Sequence, residues 1–236
     1  MQHRPELTEK WLKVDFHTHS REDPKDNIAY DAHQLIRRAS QLEFDALAIT
    51  NHNSLTFDSE LQKLASEYNL LLLPGAEITC EGKHVLVINP PFLPEKNELK
   101  LKDLASLSHP DSLIIAPHPY FPGFRSLFNQ LDHYHELFDA VEFSAFYNRF
   151  FNPNEKAIEA CQKYDLPLVA GSDAHNLWQL GTAFTLVAAV KTTEAIVEAV
   201  KKRRTKVVSY PLSWLRMLRV MANFLLADRL KIPWHI

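Results

Sequence analysis

The sequence predicts an α/β barrel, because short apolar runs alternate with longer amphipathic segments along most of its 236 residues. Alternation of strands and helices is typical of a mainly parallel sheet or barrel. Seven or so strands are predicted, and that number fits a closed or nearly closed barrel better than a small open sheet. The length is ordinary for one such barrel. We find no convincing domain boundary before Tyr210, so we predict a single domain over residues 1–236 with a C-terminal helix at 213–230.

Four strands and two helices are predicted in the first half of the chain. The strands lie at 14–16, 46–49, 70–73 and 85–88, and the helices lie at 31–42 and 59–68. Leu35, Ile36 and Ala39 fall on one face of the first helix, as expected for an amphipathic helix. The residues at 46–49 are all apolar, which indicates a buried strand.

The second half continues this alternation and ends in a different kind of segment. Strands are predicted at 113–116, 140–143, 167–170, 184–188 and 206–209, and helices at about 152–164 and 193–203. Asn152 is the candidate N-cap of the first of these helices, because its side chain can accept from free amides of the first turn. Residues 213–230 form an amphipathic helix with a large apolar face. We expect this helix to pack on the barrel; a homo-oligomer contact and a membrane-surface anchor are the alternatives, and its few basic residues disfavour the anchor.

Composition and charge exclude several classes of protein. Hydrophobic residues make up 46% of the chain and charged residues 23%, as in soluble globular proteins. The formal net charge of −3 gives no global basic field, so we expect no stable complex with long nucleic acid. Cys80 and Cys161 suggest no disulfide framework, and a reducing compartment is the simpler assumption. With neither a signal-peptide core nor an apolar run near the ~20 residues of a membrane span, we predict a cytoplasmic protein.

Side chains that commonly bind metal ions cluster where the predicted strands end. They come from five strand-end segments and from the start of one further strand, which His84 opens: His17, His19, His52, Glu77, His84, His118, Asp173 and His175. Most of them follow a strand, and catalytic loops of an α/β barrel converge at the carboxyl ends of its strands. His84 alone, which opens a strand, would more often be structural, and His118 between two prolines could simply cap a turn. Their conjunction nevertheless predicts one shared site.

The spacing within these segments suits metal binding. In an extended segment, residues two apart point to the same side, so His17 and His19 can reach one ion, and so can Asp173 with His175. Imidazole and carboxylate together suit Zn, Mn or Fe, and the sequence does not choose among them. Glu77 can bridge two ions, and paired ions can generate a hydroxide nucleophile. The residues alone therefore indicate metal-assisted hydrolysis.

Five motifs, in order, resemble those of the PHP (polymerase and histidinol phosphatase) family. They read VDFHTHS, LAITNHN, PGAEIT, IIAPHP and GSDAH, and the match runs from about Val14 to Gly181. The resemblance implies a distorted (β/α)7 barrel that holds two or three divalent ions at the strand carboxyl ends and hydrolyses phosphate esters. It assigns one ion to His17, His19, Glu77 and Asp173, and a second to Glu77, His84 and His118. A third would be held by His52, His175 and an acidic residue of the loop after His19.

The chain departs from the family pattern at two places. The family loop reads like S-D-G, whereas this chain has Arg21-Glu22-Asp23-Pro24-Lys25-Asp26. Asp23 is closer to the usual distance from His19 and Asp26 to the usual distance from the following helix; we keep both, with Asp23 slightly ahead. The family's T-D-H is Thr50-Asn51-His52 here. If the missing carboxylate orients the site, the third ion is bound more weakly.

A phosphate also needs cationic donors, and an arginine fork suits two of its oxygens. Arg21, Lys25, Arg125 and Arg149 lie in or near loops that should face the site, and Arg125 is the leading candidate.

The expected substrate is a small phosphorylated metabolite, a nucleotide or a short oligonucleotide. The principal alternative is a metal-stabilised regulatory or subunit module with little catalysis, favoured by Asn51 and the amphipathic tail. A C–N bond hydrolase is the third hypothesis, because amidohydrolase barrels also carry H-x-H after their first strand.

Overall fold

The computed structural model describes residues 10–95 and 99–230, with side chains described as far as residue 222. The N-terminal segment considered for a signal peptide and the apolar face expected beyond residue 222 therefore lie outside the described residues. The strands are β1 (Lys10–Asp15), β2 (Ala46–Ile49), β3 (Leu71–Cys80), β4 (Lys83–Ile88), β5 (Leu113–Ala116), β6 (Ala140–Ser144), β7 (Leu168–Gly171), β8 (Ala183–Ala189) and β9 (Thr205–Ser209). The α-helices are α1 (Ala32–Gln41), α2 (Ser59–Glu67), α3 (Asn129–Tyr134), α4 (Asn154–Tyr164), α5 (Thr193–Lys201) and α6 (Trp214–Leu230), with short 3-10 helices at Leu101–Leu107 and His135–Leu137.

The described strands form one sheet in the order β7-β6-β5-β4-β3-β2-β1-β8-β9, so the predicted α/β barrel is confirmed. Strands β1, β2 and β3 are parallel to one another, and so are β5, β6 and β7. Strand β4 runs antiparallel to both of its neighbours. On the other side of β1, β8 is antiparallel to β1, and β9 is antiparallel to β8. The turn between β3 and β4 explains the first reversal. Glu81 and Gly82 both have positive φ, as in the two-residue turns that join hairpin strands.

The barrel closes at the carboxyl ends of β1 and β7. A parallel bridge joins Thr18 to Ala174 just beyond the two strands. The amide of Asp173 donates to the carbonyl of His17 at 2.8 Å, and the amide of His19 donates to the carbonyl of Ala174 at 3.1 Å. These bonds bring the H-x-H segment directly beside the D-x-H segment, although more than 150 residues separate them in the chain.

Two local predictions need correction. Strand β3 continues to Cys80, so Glu77 lies inside a strand and not after one. This extension is possible because the second half of β3 pairs with β4 instead of ending at a loop. Helix α4 begins at Asn154, after the predicted N-cap Asn152. The Asn152 side chain still accepts from the amide of Asn154, at 3.3 Å, so it supports the turn that precedes the helix.

Alternating residues of the strands fill the barrel interior. Leu12, Val14, Leu73, Leu86 and Ile115 are among the residues fully or almost fully buried there, and α5 covers the same cluster. Burial of this apolar surface is the main stabilising contribution to such a fold. The interior is packed up to the rim, and polar side chains therefore collect at one end of the barrel.

Helix α6 lies against the loops at that end. Met217 and Val220 are buried in a cluster with Phe121 and Phe146, against which Trp178 also packs. Elsewhere on the helix the apolar residues Trp214, Leu215, Leu218 and Met221 are exposed, together with Arg216 and Arg219. Within the described part of the chain, no helix has the length and apolarity required to cross a bilayer.

Candidate metal centre

The histidines and acidic residues singled out in the sequence meet at one end of the barrel. Strands β1, β2, β5 and β7 deliver theirs from their carboxyl ends, as predicted for an α/β barrel. His84 comes from the beginning of β4, and it still reaches the same rim because β4 runs antiparallel and pairs His84 with Thr79 near the end of β3. Reversal of one strand therefore gives a strand-opening histidine the same position as the strand-ending ones.

Glu77 stands at the centre of the cluster and is 1% exposed. Its two carboxylate oxygens face different sets of imidazoles. Oε1 lies 2.7 Å from His84 Nδ1, 3.4 Å from His118 Nε2 and 3.6 Å from His17 Nε2. Oε2 lies 2.9 Å from His52 Nε2 and 3.5 Å from His19 Nε2. This arrangement is the one that a carboxylate shared by two cations requires.

Asp173 supplies the second central carboxylate. Its Oδ1 lies 3.4 Å from the nearest nitrogen of each of three histidines, His17, His19 and His175. Asp173 has a φ of 46°, and His118 has a φ of 50°. Left-handed backbone at non-glycine residues is uncommon and is concentrated at functional sites. Of the residues implied for the first ion, His17 and His19 thus each face both Glu77 and Asp173.

The two loop carboxylates occupy different positions in the cluster. Asp23 is buried, and its Oδ2 lies 3.0 Å from His19 Nδ1 and 2.8 Å from His52 Nδ1 while accepting from the His52 amide at 2.9 Å. Asp26 Oδ2 instead lies 2.9 Å from His175 Nε2 and 3.7 Å from His52 Nδ1. Asp23 therefore contacts His19 and His52, whereas Asp26 contacts His175 and lies farther from the same Nδ1 of His52.

The electrostatics of the cluster favour ionised carboxylates. Burial opposes charge on Glu77 and Asp173, but the surrounding histidines outweigh it and lower the pKa of both carboxyls. In the same way His175 outweighs the effect of burial at Asp26 and lowers its pKa to about 2. Burial also opposes charge on His52, yet Glu77 and Asp23 raise its pKa to about 9. At His84 burial dominates and lowers the pKa to about 3.

The donor atoms fit divalent cations. The Nε2 atoms of His17, His19 and His52 are buried and make no hydrogen bond of acceptable geometry. Each faces carboxylate oxygens, and buried polar atoms without a partner are rare unless a ligand satisfies them. Five triads of ligand atoms lie within 4.8 Å of one another, among them His17–His19–Glu77, His19–Asp23–His52 and His52–Glu77–His84. Imidazole nitrogens with carboxylate oxygens are the donor set of Zn, Mn and Fe.

Two buried acidic residues behind His17 were missed from the sequence. Glu142, on β6, places Oε1 2.9 Å from His17 Nδ1. Asp15 accepts from the amides of His17 at 3.1 Å and Ser172 at 3.0 Å, and burial raises its pKa to about 7. A single acid within the apolar run AVEF was the available signal for Glu142, because a buried charge is costly unless it is paired.

Asn51, the departure from the T-D-H pattern, points away from the ligand atoms. Its Oδ1 accepts from the Ser20 amide at 2.9 Å, and its Nδ2 donates to the hydroxyls of Ser20 at 2.9 Å and Thr56 at 2.7 Å. The side chain thus joins the loop after His19 to the loop after His52. A carboxylate at this position could accept the first bond but could not donate the other two.

The four candidate phosphate contacts differ in how they are placed relative to the cluster. Arg125 is exposed, and its Nη1 lies 3.5 Å from the carbonyl of Gly82. Arg21 is exposed and donates to the carbonyl of Ala29, and Arg149 is exposed as well. Lys25, which was considered beside them, places Nζ 3.2 Å from His84 Nε2. Of these four side chains, that of Lys25 contacts a histidine of the cluster, and Arg125 lies beside the same histidine because its carbonyl accepts from the His84 amide at 2.9 Å.

Comparisons with known proteins agree with this architecture. Residues 151–205 match a family model described as PHP-associated. An uncharacterized protein of Methanocaldococcus jannaschii, MJ0417, is 29% identical over 233 residues, which cover 94% of this chain and 87% of that protein.

Solved structures share the fold. A two-domain protein of Bacteroides vulgatus, described as containing a predicted PHP-like metal-dependent phosphoesterase, is 21% identical with a TM-score of 0.68; the match covers 93% of this chain and 73% of that one. The lesion-specific endonuclease Q of Pyrococcus furiosus is 17% identical with a TM-score of 0.59, and the match covers 84% and 58% of the two chains. The chain thus shares the barrel fold of these structures, and residues 151–205 match the PHP-associated model, in agreement with the resemblance carried by the ordered motifs.

Proposed function

We propose that the protein is a metal-dependent phosphoesterase that hydrolyses a phosphate ester of a small metabolite, a nucleotide or a short oligonucleotide. The observation that carries the proposal is the position of Glu77, whose two oxygens each face a separate set of histidine nitrogens. A carboxylate placed in this way, with Asp173 beside it, suits a pair of cations that act on one ester. The cations would be two or three divalent ions of Zn, Mn or Fe.

The residues divide into three groups around these ions. His17, His19, Glu77 and Asp173 would hold the first ion, and Glu77, His84 and His118 the second. His52, His175 and Asp26 would hold the third, because Asp26 Oδ2 lies 2.9 Å from His175 Nε2 and 3.7 Å from His52 Nδ1. When bound, such ions polarise phosphoryl oxygens and make water a stronger nucleophile near neutral pH.

Side chains of the protein would orient the site and bind the substrate. Asp23 contacts Nδ1 of His19 and of His52, and its Oδ1 accepts from the amides of Lys25 at 2.8 Å and Asp26 at 3.1 Å. These bonds fix the loop that carries Lys25. The ammonium group at the edge of the cluster would then meet a non-bridging phosphate oxygen, with the point charge that lysines commonly supply to phosphates.

The proposal is tested with metal-stripped protein that is reloaded with Mn²⁺ or Zn²⁺ and assayed on a panel of substrates. The panel contains phosphorylated metabolites, nucleotides, short oligonucleotides with and without an abasic site, and amides. The oligonucleotide arm is included because endonuclease Q has been crystallised with a duplex that carries an abasic lesion. We expect hydrolysis of at least one phosphate ester. Turnover of amides alone would indicate C–N hydrolysis, and metal binding without any turnover would indicate a regulatory module.

Variants connect the activity to the cluster. His17→Ala and Asp173→Ala should lower both metal content and kcat by orders of magnitude, because each removes a donor from the proposed first ion. His109→Ala removes an exposed histidine whose imidazole lies near Asp111 and is the control. An unchanged rate in the two cluster variants would exclude this site as the source of activity.

Lys25 is tested separately. Lys25→Gln should raise KM for the phosphorylated substrate by about 10-fold or more, since hydrogen bonds to charged groups contribute about 1.5–3 kcal/mol. Metal content should stay unchanged. Lys83→Gln is the matched control, because Lys83 donates to the carbonyl of Phe124. Equal KM values for the wild-type protein and Lys25→Gln would remove Lys25 from substrate binding.

A further inference from the structure

We infer that Glu142 is a positioning residue that fixes the tautomer and the ring orientation of His17. The inference rests on the proposed metal centre, because the atom that Glu142 would prepare is the His17 nitrogen that faces Glu77 and Asp173. It concerns a residue of a different strand, which contributes no atom to the groups of ligands described above.

The two ring nitrogens of His17 face different groups. Nδ1 lies 2.9 Å from Glu142 Oε1, so a proton on Nδ1 is donated to this carboxylate. Nε2 lies 3.4 Å from Asp173 Oδ1 and 3.6 Å from Glu77 Oε1 and makes no hydrogen bond. With the proton held on Nδ1, the lone pair of the neutral ring is on Nε2. A carboxylate in this position also raises the basicity of a metal-binding imidazole.

The burial of Glu142 also indicates that its carboxylate needs a partner. Its carboxylate is 1% exposed, and its Oε2 has no hydrogen-bond partner among the described residues. An ionisable group in the interior of a strand is destabilising unless a partner compensates it. His17 is the partner that the structure provides.

The backbone next to His17 and Glu142 also restricts the positions of these two side chains. A Cβ on Gly171 would lie 2.5 Å from His17 Cβ and 2.9 Å from Glu142 Oε1, so a larger residue would displace either member. Asp15 holds the His17 amide at 3.1 Å and thereby fixes the main chain. Rotation of the imidazole is the freedom that remains, and the bond to Glu142 removes it.

The experiment measures Zn²⁺ binding to the metal-stripped full-length protein by competition with a chromophoric chelator. Glu142→Ala should weaken the tightest site by about 10- to 100-fold, the range found for partners of metal-binding histidines. Glu142→Gln should lose only several-fold, because its amide oxygen still accepts from Nδ1. Absorption spectra after loading with Co²⁺ should also change in Glu142→Ala, since they report the geometry of the ligands.

Asp139→Asn is the matched control. Asp139 precedes the same strand, is half-buried and accepts from the Ile114 amide at 2.8 Å, at the opposite end of β6 from the cluster. Its substitution should lower the free energy of unfolding without changing Zn²⁺ affinity. Thermal unfolding of the stripped proteins identifies any variant that fails to fold; should Glu142→Ala be such a variant, Glu142→Gln decides.

Wild-type Zn²⁺ affinity in the folded Glu142 variants would overturn the inference and leave the proposed function intact. If the wild-type protein binds Zn²⁺ and hydrolyses no ester, the proposed function fails, and the affinity difference still tests Glu142. A wild-type protein that binds no divalent ion would refute both.

Discussion

The histidines of the cluster differ in how firmly they hold a proton. Burial disfavours the charged form of each ring, but neighbouring Glu77 and Asp23 raise the pKa of His52 to about 9. His84 contacts Glu77 as well, yet burial dominates there and lowers its pKa to about 3. At neutral pH His52 is therefore protonated and His84 is neutral. A cation binds only the neutral ring, so it must displace a proton from His52 but not from His84.

We expect the apparent affinity for divalent ions to increase with pH up to about 9, the pKa of His52, and to level off above it. Below this pKa a proton competes with the cation for the ring, and above it the ring is already neutral. Isothermal titration calorimetry with Zn²⁺ at pH 7, in buffers of different ionisation enthalpy, measures the protons released. His52→Gln should release fewer protons than the wild-type protein. Equal proton release in the two proteins would contradict the assignment.

At the scale of elements, the site depends on how closely the ends of β1 and β7 approach. Gly171, the last residue of β7, leaves no space for a side chain, because an added Cβ would lie 2.9 Å from the His17 amide nitrogen. Backbone atoms cannot move aside as a flexible side chain does. The hydrogen bonds that close the barrel, such as Asp173 to His17, follow directly after this contact. Strand separation here would open the barrel and the site together.

Gly171→Ala should therefore lower both stability and metal affinity. Overpacking of this kind costs about 1–3 kcal/mol. Chemical denaturation of the metal-stripped protein measures the stability, and chelator competition measures the affinity. Gly123→Ala is the control, because a Cβ there meets no atom within 4 Å. Similar stability of the two variants would show that the strand ends tolerate a wider separation.

At the scale of the whole molecule, α6 has apolar residues on two faces and packs only one of them on the barrel. The packed face includes Met217 and Val220. The exposed strip includes Leu215 at 80% and Leu218 at 59% exposure. A large exposed apolar patch commonly marks an interaction surface. Arg216 lies over the Trp178 ring at 5.1 Å, and Arg219 is exposed one turn after Leu215.

A second copy of this chain is the occupant that we expect on the exposed strip. In a two-fold symmetric dimer the same patch meets itself, so Leu215 and Leu218 of one copy would pack on those of the other. Leu215→Glu combined with Leu218→Glu should shift the protein from dimer to monomer in sedimentation velocity, because the glutamates would repel one another across the axis. Phe124→Glu, at a 95% exposed loop residue, is the control and should remain dimeric. A monomeric wild-type protein would contradict the expectation.

Much of the site followed from the sequence because its residues stand next to strands that could be recognised by their apolar runs. His17, His19, His52 and His118 were placed correctly at one end of a barrel, since parallel strands bring their carboxyl ends together. Asp173 with His175 followed from the same rule. The order of the motifs then predicted the PHP family. Local sequence patterns were therefore sufficient to place a candidate ligand wherever it directly follows a strand.

The remaining features depend on contacts between distant segments, and only the tertiary structure decided them. Reversal of β4 brings His84 to the same rim, and the extension of β3 puts Glu77 inside a strand. The pairing of Glu142 with His17 joins residues 125 apart, which no local period encodes. The different positions of Asp23 and Asp26 likewise depend on a folded loop. Sequence patterns thus determined which residues can bind metal, whereas packing between strands determined which atoms face one another.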